Sequence, residues 1–173
     1  MIINFAINTN SFVYCSVYES PSETTNYYNV GNGHFHQHIY IVEGKAEYTI
    51  LDTKDPAPDA VYLPLEGKNY YNLSHCKGKY VITKTDSNSG MAMMMFNPIP
   101  DDKSIDVEII QSDEDNKKVL IEAGDKRVTV VCITGPVNIK GKQIDSMQYA
   151  VVFTNKTAEL VMNKNTVCAI VTG

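Results

Sequence analysis

Three of the four histidines, His34, His36 and His38, fall within five residues of the 173, and Tyr40 and Val42 continue the same alternate spacing. On a strand, side chains alternate between faces, so these five positions share one face. Same-face neighbours lie about 6.6–7 Å apart, and two imidazoles at i and i+2 can therefore converge on one cation. His34 and His38, about 13 Å apart by the same rise, would need a bulge to do so. Neutral imidazole suits Zn, Ni, Fe or Cu, with carboxylate or water completing the shell. A face that carries imidazoles and a phenol and then turns apolar predicts a polar pocket inside an apolar barrel. The same row could also line a pocket that holds no metal.

Other chemistries are set aside by their spacing. No Gly-x-Ser-x-Gly elbow is present, and Gly31-Asn-Gly33 precedes a strand instead of a helix N-terminus. Cys76 adjoins His75, but adjacent strand residues point to opposite faces. The four cysteines show no Cys-x-x-Cys spacing. Cys132 and Cys168 lie inside apolar runs and are expected as buried free thiols, which suits a reducing, cytoplasmic compartment. A net charge of −5 and the lack of a basic run argue against a nucleic-acid partner. No apolar window approaches membrane-spanning length, and the first residues do not read as a signal peptide, so no membrane partner is expected.

The elements that must position the histidines are strands. The chain holds 17 Val, 16 Ile and 13 Thr against 6 Leu and 9 Ala, with 16 further Tyr and Phe. That balance favours pleated, half-buried surfaces over helices. Short apolar runs recur from Ile2–Ile7 to Val167–Thr172, broken by loops such as Glu19–Asn29 and Asp52–Asp59, and many short strands at this spacing predict a sandwich or barrel. Asp113–Lys118 is expected as a solvated turn. The halves also resemble each other. Ile39–Gly44 can be set against Val130–Gly135, Glu47–Ile50 against Val137–Ile139, Ala60–Leu63 against Tyr149–Val152, and Tyr80–Thr83 against Ala169–Thr172. Prolines and aspartates near Asn97–Lys103 place a junction there, giving domains 1–97 and 98–173.

Gly33-His34-Phe35-His36 leading into Ile39-Tyr-Ile-Val-Glu-Gly44 resembles the metal-binding strand and glycine turn of the cupin superfamily. Leu63-Pro-Leu-Glu-Gly67 with Tyr70-Tyr71-Asn72 is similar to its second motif. By pattern the whole chain resembles a compact bicupin, which implies an all-β fold of two small antiparallel barrels or jelly rolls in tandem. The resemblance implies a divalent metal (Zn, Ni, Fe or Mn), a small polar molecule, or both in the N-terminal barrel. Its ligands would come from His34, His36 and His38. The pair is either His34 with His36, or His36 with His38 and Glu43, and Tyr40, Tyr70 or His75 completes the site. Tyr40 or Tyr70 would donate a proton if the protein is a lyase, isomerase or dioxygenase. The competing readings are a non-catalytic bicupin serving as a binding or assembly module, of viral origin in one version, and a trimer sharing an axial metal. Family habit implies a homodimer. Aligning Gly44 with Gly135 sets Asp125, Arg127 and Thr129 against the three histidines. The C-terminal barrel is therefore expected to carry no imidazole site, its interior filled by residues such as Val130, Cys132 and Val152.

Overall fold

The computed structural model describes residues 2–8, 12–20, 22–29, 36–73, 78–96, 106–146 and 148–173. Its strands are β1 (Ile2–Asn8), β2 (Phe12–Ser20), β3 (Thr24–Asn29), β4 (His36–Glu43), β5 (Lys45–Leu51), β6 (Leu63–Glu66), β7 (Tyr70–Asn72), β8 (Tyr80–Thr85) and β9 (Ser89–Phe96). They continue with β10 (Asp106–Gln111), β11 (Lys117–Ala123), β12 (Val128–Thr134), β13 (Val137–Ile139), β14 (Lys142–Ile144), β15 (Tyr149–Val152), β16 (Lys156–Met162) and β17 (Val167–Thr172). Among the described residues there is no helix, and so none long and apolar enough to cross a membrane. The all-β expectation holds, for the reason composition suggested: β-branched and aromatic residues pack well on a pleated surface.

The strands form four antiparallel sheets, in orders β1-β2-β9-β4-β7, β3-β8-β5-β6, β10-β17-β12-β15 and β11-β16-β13-β14. Adding eight to the strand numbers of β2-β9-β4-β7 and β3-β8-β5-β6 reproduces the last two sheets, strand for strand. The second half therefore repeats the topology of the first, and β1 is an additional strand at an edge. The chain divides into two compact units, Met1–Ala6 with Val13–Ile99, and Ile7–Phe12 with Pro100–Gly173.

Register makes the repeat residue-specific. Tyr40 pairs with Tyr70 and Ala92, and Val131 pairs with Tyr149 and Ala169. Hence Val131 is the counterpart of Tyr40, Thr129 of His38 and Gly135 of Gly44, the offset expected from the glycine alignment. Two of the sequence matches need correction. Tyr149–Val152 is β15, counterpart of β7 and not of Ala60–Leu63, which is loop until β6 begins at Leu63. Ala169–Thr172 belongs to β17, counterpart of β9, whereas Tyr80–Thr83 belongs to β8. Runs of similar alternating pattern are interchangeable to a sequence comparison; only hydrogen-bonded partners tell them apart. The segment Glu19–Asn29 also differs from expectation. It continues β2 to Ser20 and then forms β3, because Thr24, Thr25, Tyr27 and Tyr28 are strand formers despite their polar company. The turn expected over Asp113–Lys118 is found at 113–116, while Lys117 and Lys118 already belong to β11.

Each unit has its own core. In the first, Ile39, Ile41, Ala46, Tyr48, Leu65, Val81, Met91 and Met93 pack together, drawn from both of its sheets. In the second, Val130, Cys132 and Val152 join Ile121, Val137, Leu160, Met162 and Cys168. The expected aliphatic filling of the C-terminal unit is observed.

Candidate functional site

The side chains of β4 sort by parity. Gln37, Ile39 and Ile41 are buried on the face toward β5 and β8: Ile39 and Ile41 belong to the core, and the Tyr48 hydroxyl of β5 donates to Gln37 Oε1. His38 and Tyr40 therefore project from the opposite face of the same strand. They are also buried, at 2% and 1% exposure. From Gln37 to Ile41 both parities are buried, and the interior parity carries an amide and two isoleucines.

On the His38 face, strand pairing sets Tyr70 directly opposite Tyr40, and Asn72 opposite His38. The diagonal contact is the close one, with His38 Nδ1 and the Tyr70 hydroxyl 2.5 Å apart. The two rings lie nearly parallel, with centroids 5.9 Å apart. Burial pushes the Tyr70 phenol up to about 12 and raises that of Tyr40 as well. Both stay protonated at neutral pH, and Tyr70 acts as a hydrogen-bonding partner of the imidazole. His34 and His75 lie outside the described residues. His36 opens β4 opposite Phe96. Among the described residues, no group of three or more His, Cys, Asp or Glu is arranged to hold a metal ion.

The polar feature that sequence reasoning missed lies inside the first unit. Tyr48 on β5 pairs with Thr83 on β8, and Thr83 pairs in turn with Asn26 on β3. Directly paired residues share a face, so Tyr48, Thr83 and Asn26 form one row across the sheet, pointing inward with the core member Tyr48. Thr85 lies two residues along on the same face, paired with Ala46. Thr83 and Thr85 are 0% and 2% exposed, yet neither Oγ1 has a hydrogen-bond partner, and neither does the buried Nδ2 of Asn26. Each buried group of this kind costs about 1–3 kcal/mol if nothing satisfies it.

The fold does not require this polarity, as the second unit demonstrates. By the register equivalence, the counterparts of Tyr48, Thr83 and Asn26 are Ile139, Leu160 and Val119, paired across β13, β16 and β11. The counterpart of Thr85 is Met162 and that of Gln37 is Val128. These five residues form part of an apolar core or pack against it. The same frame is filled with aliphatic groups in one unit and with amides and hydroxyls in the other. The available signal was the alternation Val81-x-Thr83-x-Thr85, hidden because threonine is an ordinary strand residue. Asn26 was obscured by lying in a segment expected as loop.

No protein-family model and no curated protein matches the chain. Solved structures do match it in fold. The protein YhaK from Escherichia coli superposes with TM-score 0.66 at 9% identity, covering 99% of this chain and 92% of that one. The bacterial pirin YhhW from Escherichia coli, solved in complex with nickel(II), gives 0.59 at 8% identity over 93% and 80%. A cupin 2 conserved barrel domain protein from Leptotrichia buccalis gives 0.50 at 10% identity over 99% and 88%. With the paired antiparallel sheets and the eight-strand repeat, these likenesses show a cupin fold in tandem form.

The metal that the fold family implies can be tested against the residues. The interior face of β4 offers Gln37, Ile39 and Ile41, and an amide oxygen already accepting from a phenol is a poor cation ligand. On the opposite face, the one described imidazole with a placed side chain has Tyr70 at its Nδ1. The described residues do not fit a divalent metal centre.

Proposed function

We propose that the chain is a cupin-fold binding protein whose first unit holds a small polar molecule between its two sheets, beside Gln37, Tyr48, Asn26, Thr83 and Thr85. The observation that carries this reading is the set of three buried, unpartnered polar atoms on Asn26, Thr83 and Thr85, in a frame whose second copy is apolar at every equivalent position. A bound molecule that satisfies them offsets their desolvation, which is the usual logic of a mostly apolar site with a few placed polar groups. Of these five side chains only the Tyr48 phenol is an acid, and its hydroxyl is already donated to Gln37 Oε1. Binding without catalysis is the function they support. Tyr40 and Tyr70, expected as proton donors, lie on the face of the sheet opposite Gln37, beside His38.

The test is extraction of the purified protein under denaturing conditions, followed by mass spectrometry. A small molecule stoichiometric with the wild-type chain and absent from Thr83→Val supports the reading. Wild-type protein that yields no such molecule, and whose unfolding temperature responds to no compound in a Thr83-dependent way, overturns it.

A further inference from the structure

We infer that Cys132 and Cys168 are a thiol–disulfide couple, oxidised by hydroperoxides, whose closure locks the second unit covalently. This stands independently of the site proposed in the first unit. The two cysteines are direct partners across β12 and β17, both buried and both free. Directly paired side chains share a face. Antiparallel partners stand about 4.5 or 5.5 Å apart between Cα atoms, and a disulfide bridges about 4.4–6.8 Å. Their Cβ atoms are about 4.5–5.5 Å apart, so closure draws the strands together by about 1 Å at most. The fold does not require sulfur here. By register the equivalent pair in the first unit is Ile41 and Met91, which are also direct partners and also core residues.

The surroundings assign different roles to the two sulfurs. Cys132 adjoins the irregularity that shifts the register between Cys132 and Thr134. A Cβ built on Gly135 would overlap the Cys132 Sγ, so this sulfur lies directly beneath a partly exposed position that carries no side chain. A molecule as small as hydrogen peroxide needs only a slight opening there. A hydrogen bond donated by the Cys168 thiol lowers the Cys132 thiol from its ordinary value, and the same bond, with burial, raises Cys168. Cys132 is therefore the attacking sulfur and Cys168 the resolving one. The Cys132 thiolate forms an S–O bond to one peroxide oxygen as the O–O bond breaks. The other oxygen leaves with the Cys132 proton, as water or an alcohol. The Cys168 sulfur then displaces hydroxide from the sulfenic acid, the S–S bond forms, and the Cys168 proton departs with that hydroxide as water. Each sulfur loses one electron, and the peroxide gains the two. The link closes a loop containing β13, β14, β15 and β16, which restricts the unfolded chain and holds the unit together.

The experiment exposes folded, fully reduced protein to sub-millimolar hydrogen peroxide, then denatures it in N-ethylmaleimide and maps the peptides by mass spectrometry. Cys132 and Cys168 should lose their labels together, in a cross-linked peptide pair two hydrogens lighter than its reduced parts, and dithiothreitol should restore both. The oxidised chain should unfold several degrees higher than the reduced one. Cys168→Val should leave a sulfenic acid on Cys132 that dimedone captures, whereas Cys132→Val should leave the Cys168 thiol intact. Both variants install an aliphatic residue where the first unit has Met91 or Ile41, and circular dichroism checks their folding. If either fails to fold, the wild-type peptide map decides alone. Two thiols that stay labelled after exposure, or a cross-link to Cys15 or Cys76 instead, would overturn the couple. Dimedone capture at Cys168 in Cys132→Val would overturn the assigned roles. A disulfide that leaves the unfolding midpoint unmoved would overturn the lock.

Discussion

The Tyr48 hydroxyl of β5 donates a hydrogen bond to Gln37 Oε1 of β4, joining the two sheets of the first unit through a buried polar contact. Its aliphatic counterparts in the second unit are Ile139 and Val128. Removing one partner strands the other. Tyr48→Phe should therefore destabilise the protein by about 1–3 kcal/mol, with Gln37 left buried and unpaired, whereas adding Gln37→Leu should recover much of that loss. Urea unfolding of the two single variants and the double variant checks the coupling; strictly additive losses would contradict it.

Burial raises the Tyr70 phenol to about 12 from an ordinary value of 10. The folded chain then holds a proton that the unfolded chain releases, so unfolding is favoured as pH climbs through that interval. The contribution is fully present below about pH 10 and is lost between roughly pH 10 and 12. Unfolding free energy followed from pH 8 upward should fall over this window, and less steeply in Tyr70→Phe. An identical fall in the variant would show that Tyr70 is not responsible.

Cys132 and Cys168 are direct partners across β12 and β17, both buried and both reduced. The hydrogen bond with Cys132, together with burial, pushes the Cys168 thiol well above the usual range. The reactive species is the thiolate, so Cys168 should resist alkylation by iodoacetamide in native protein and react only in denaturant. Peptide mass spectrometry after labelling in both conditions reports this directly, and fast native labelling of Cys168 would refute it.

Gly44 joins β4 to β5 with φ at +78°, and a Cβ there would lie 2.8 Å from the Ser89 Cβ. The Ser89 hydroxyl accepts from the Lys45 backbone N–H at 3.0 Å, so that side chain is not free to withdraw. Gly44→Ala should cost about 1–2 kcal/mol for the left-handed backbone, with the steric overlap in addition. Its counterpart Gly135 has no left-handed backbone, but a Cβ there would meet the Cys132 sulfur. The two substitutions should therefore both destabilise, and a neutral Gly44→Ala measured by thermal unfolding would contradict the turn geometry.

Much of the fold was legible because it rests on short-range rules. The excess of Val, Ile and Thr, the regular turn signals and the two Gly-terminated strands at Gly44 and Gly135 carry the all-β class and the repeat by themselves. Strand identity beyond those anchors was less secure. Alternation alone could not assign Tyr149–Val152 to β7's counterpart, and a segment with Asn26 at its centre read as loop.

The site was decided by tertiary structure. Period-two alternation establishes that His38 and Tyr40 lie on one face of β4 and that Gln37, Ile39 and Ile41 lie on the other. It does not say which face is inside when both carry apolar residues, and here both are buried. Pairing with β9 and β7 and packing against β5 and β8 make that choice, putting Ile39 and Ile41 against Tyr48, Val81 and Met93 and turning His38 toward Tyr70. The same pairing gathers Asn26, Thr83 and Tyr48, spread over more than fifty residues of chain, into one inward-facing row. A residue's neighbours along the chain determine its strand, but its partners across the sheet determine what it can bind.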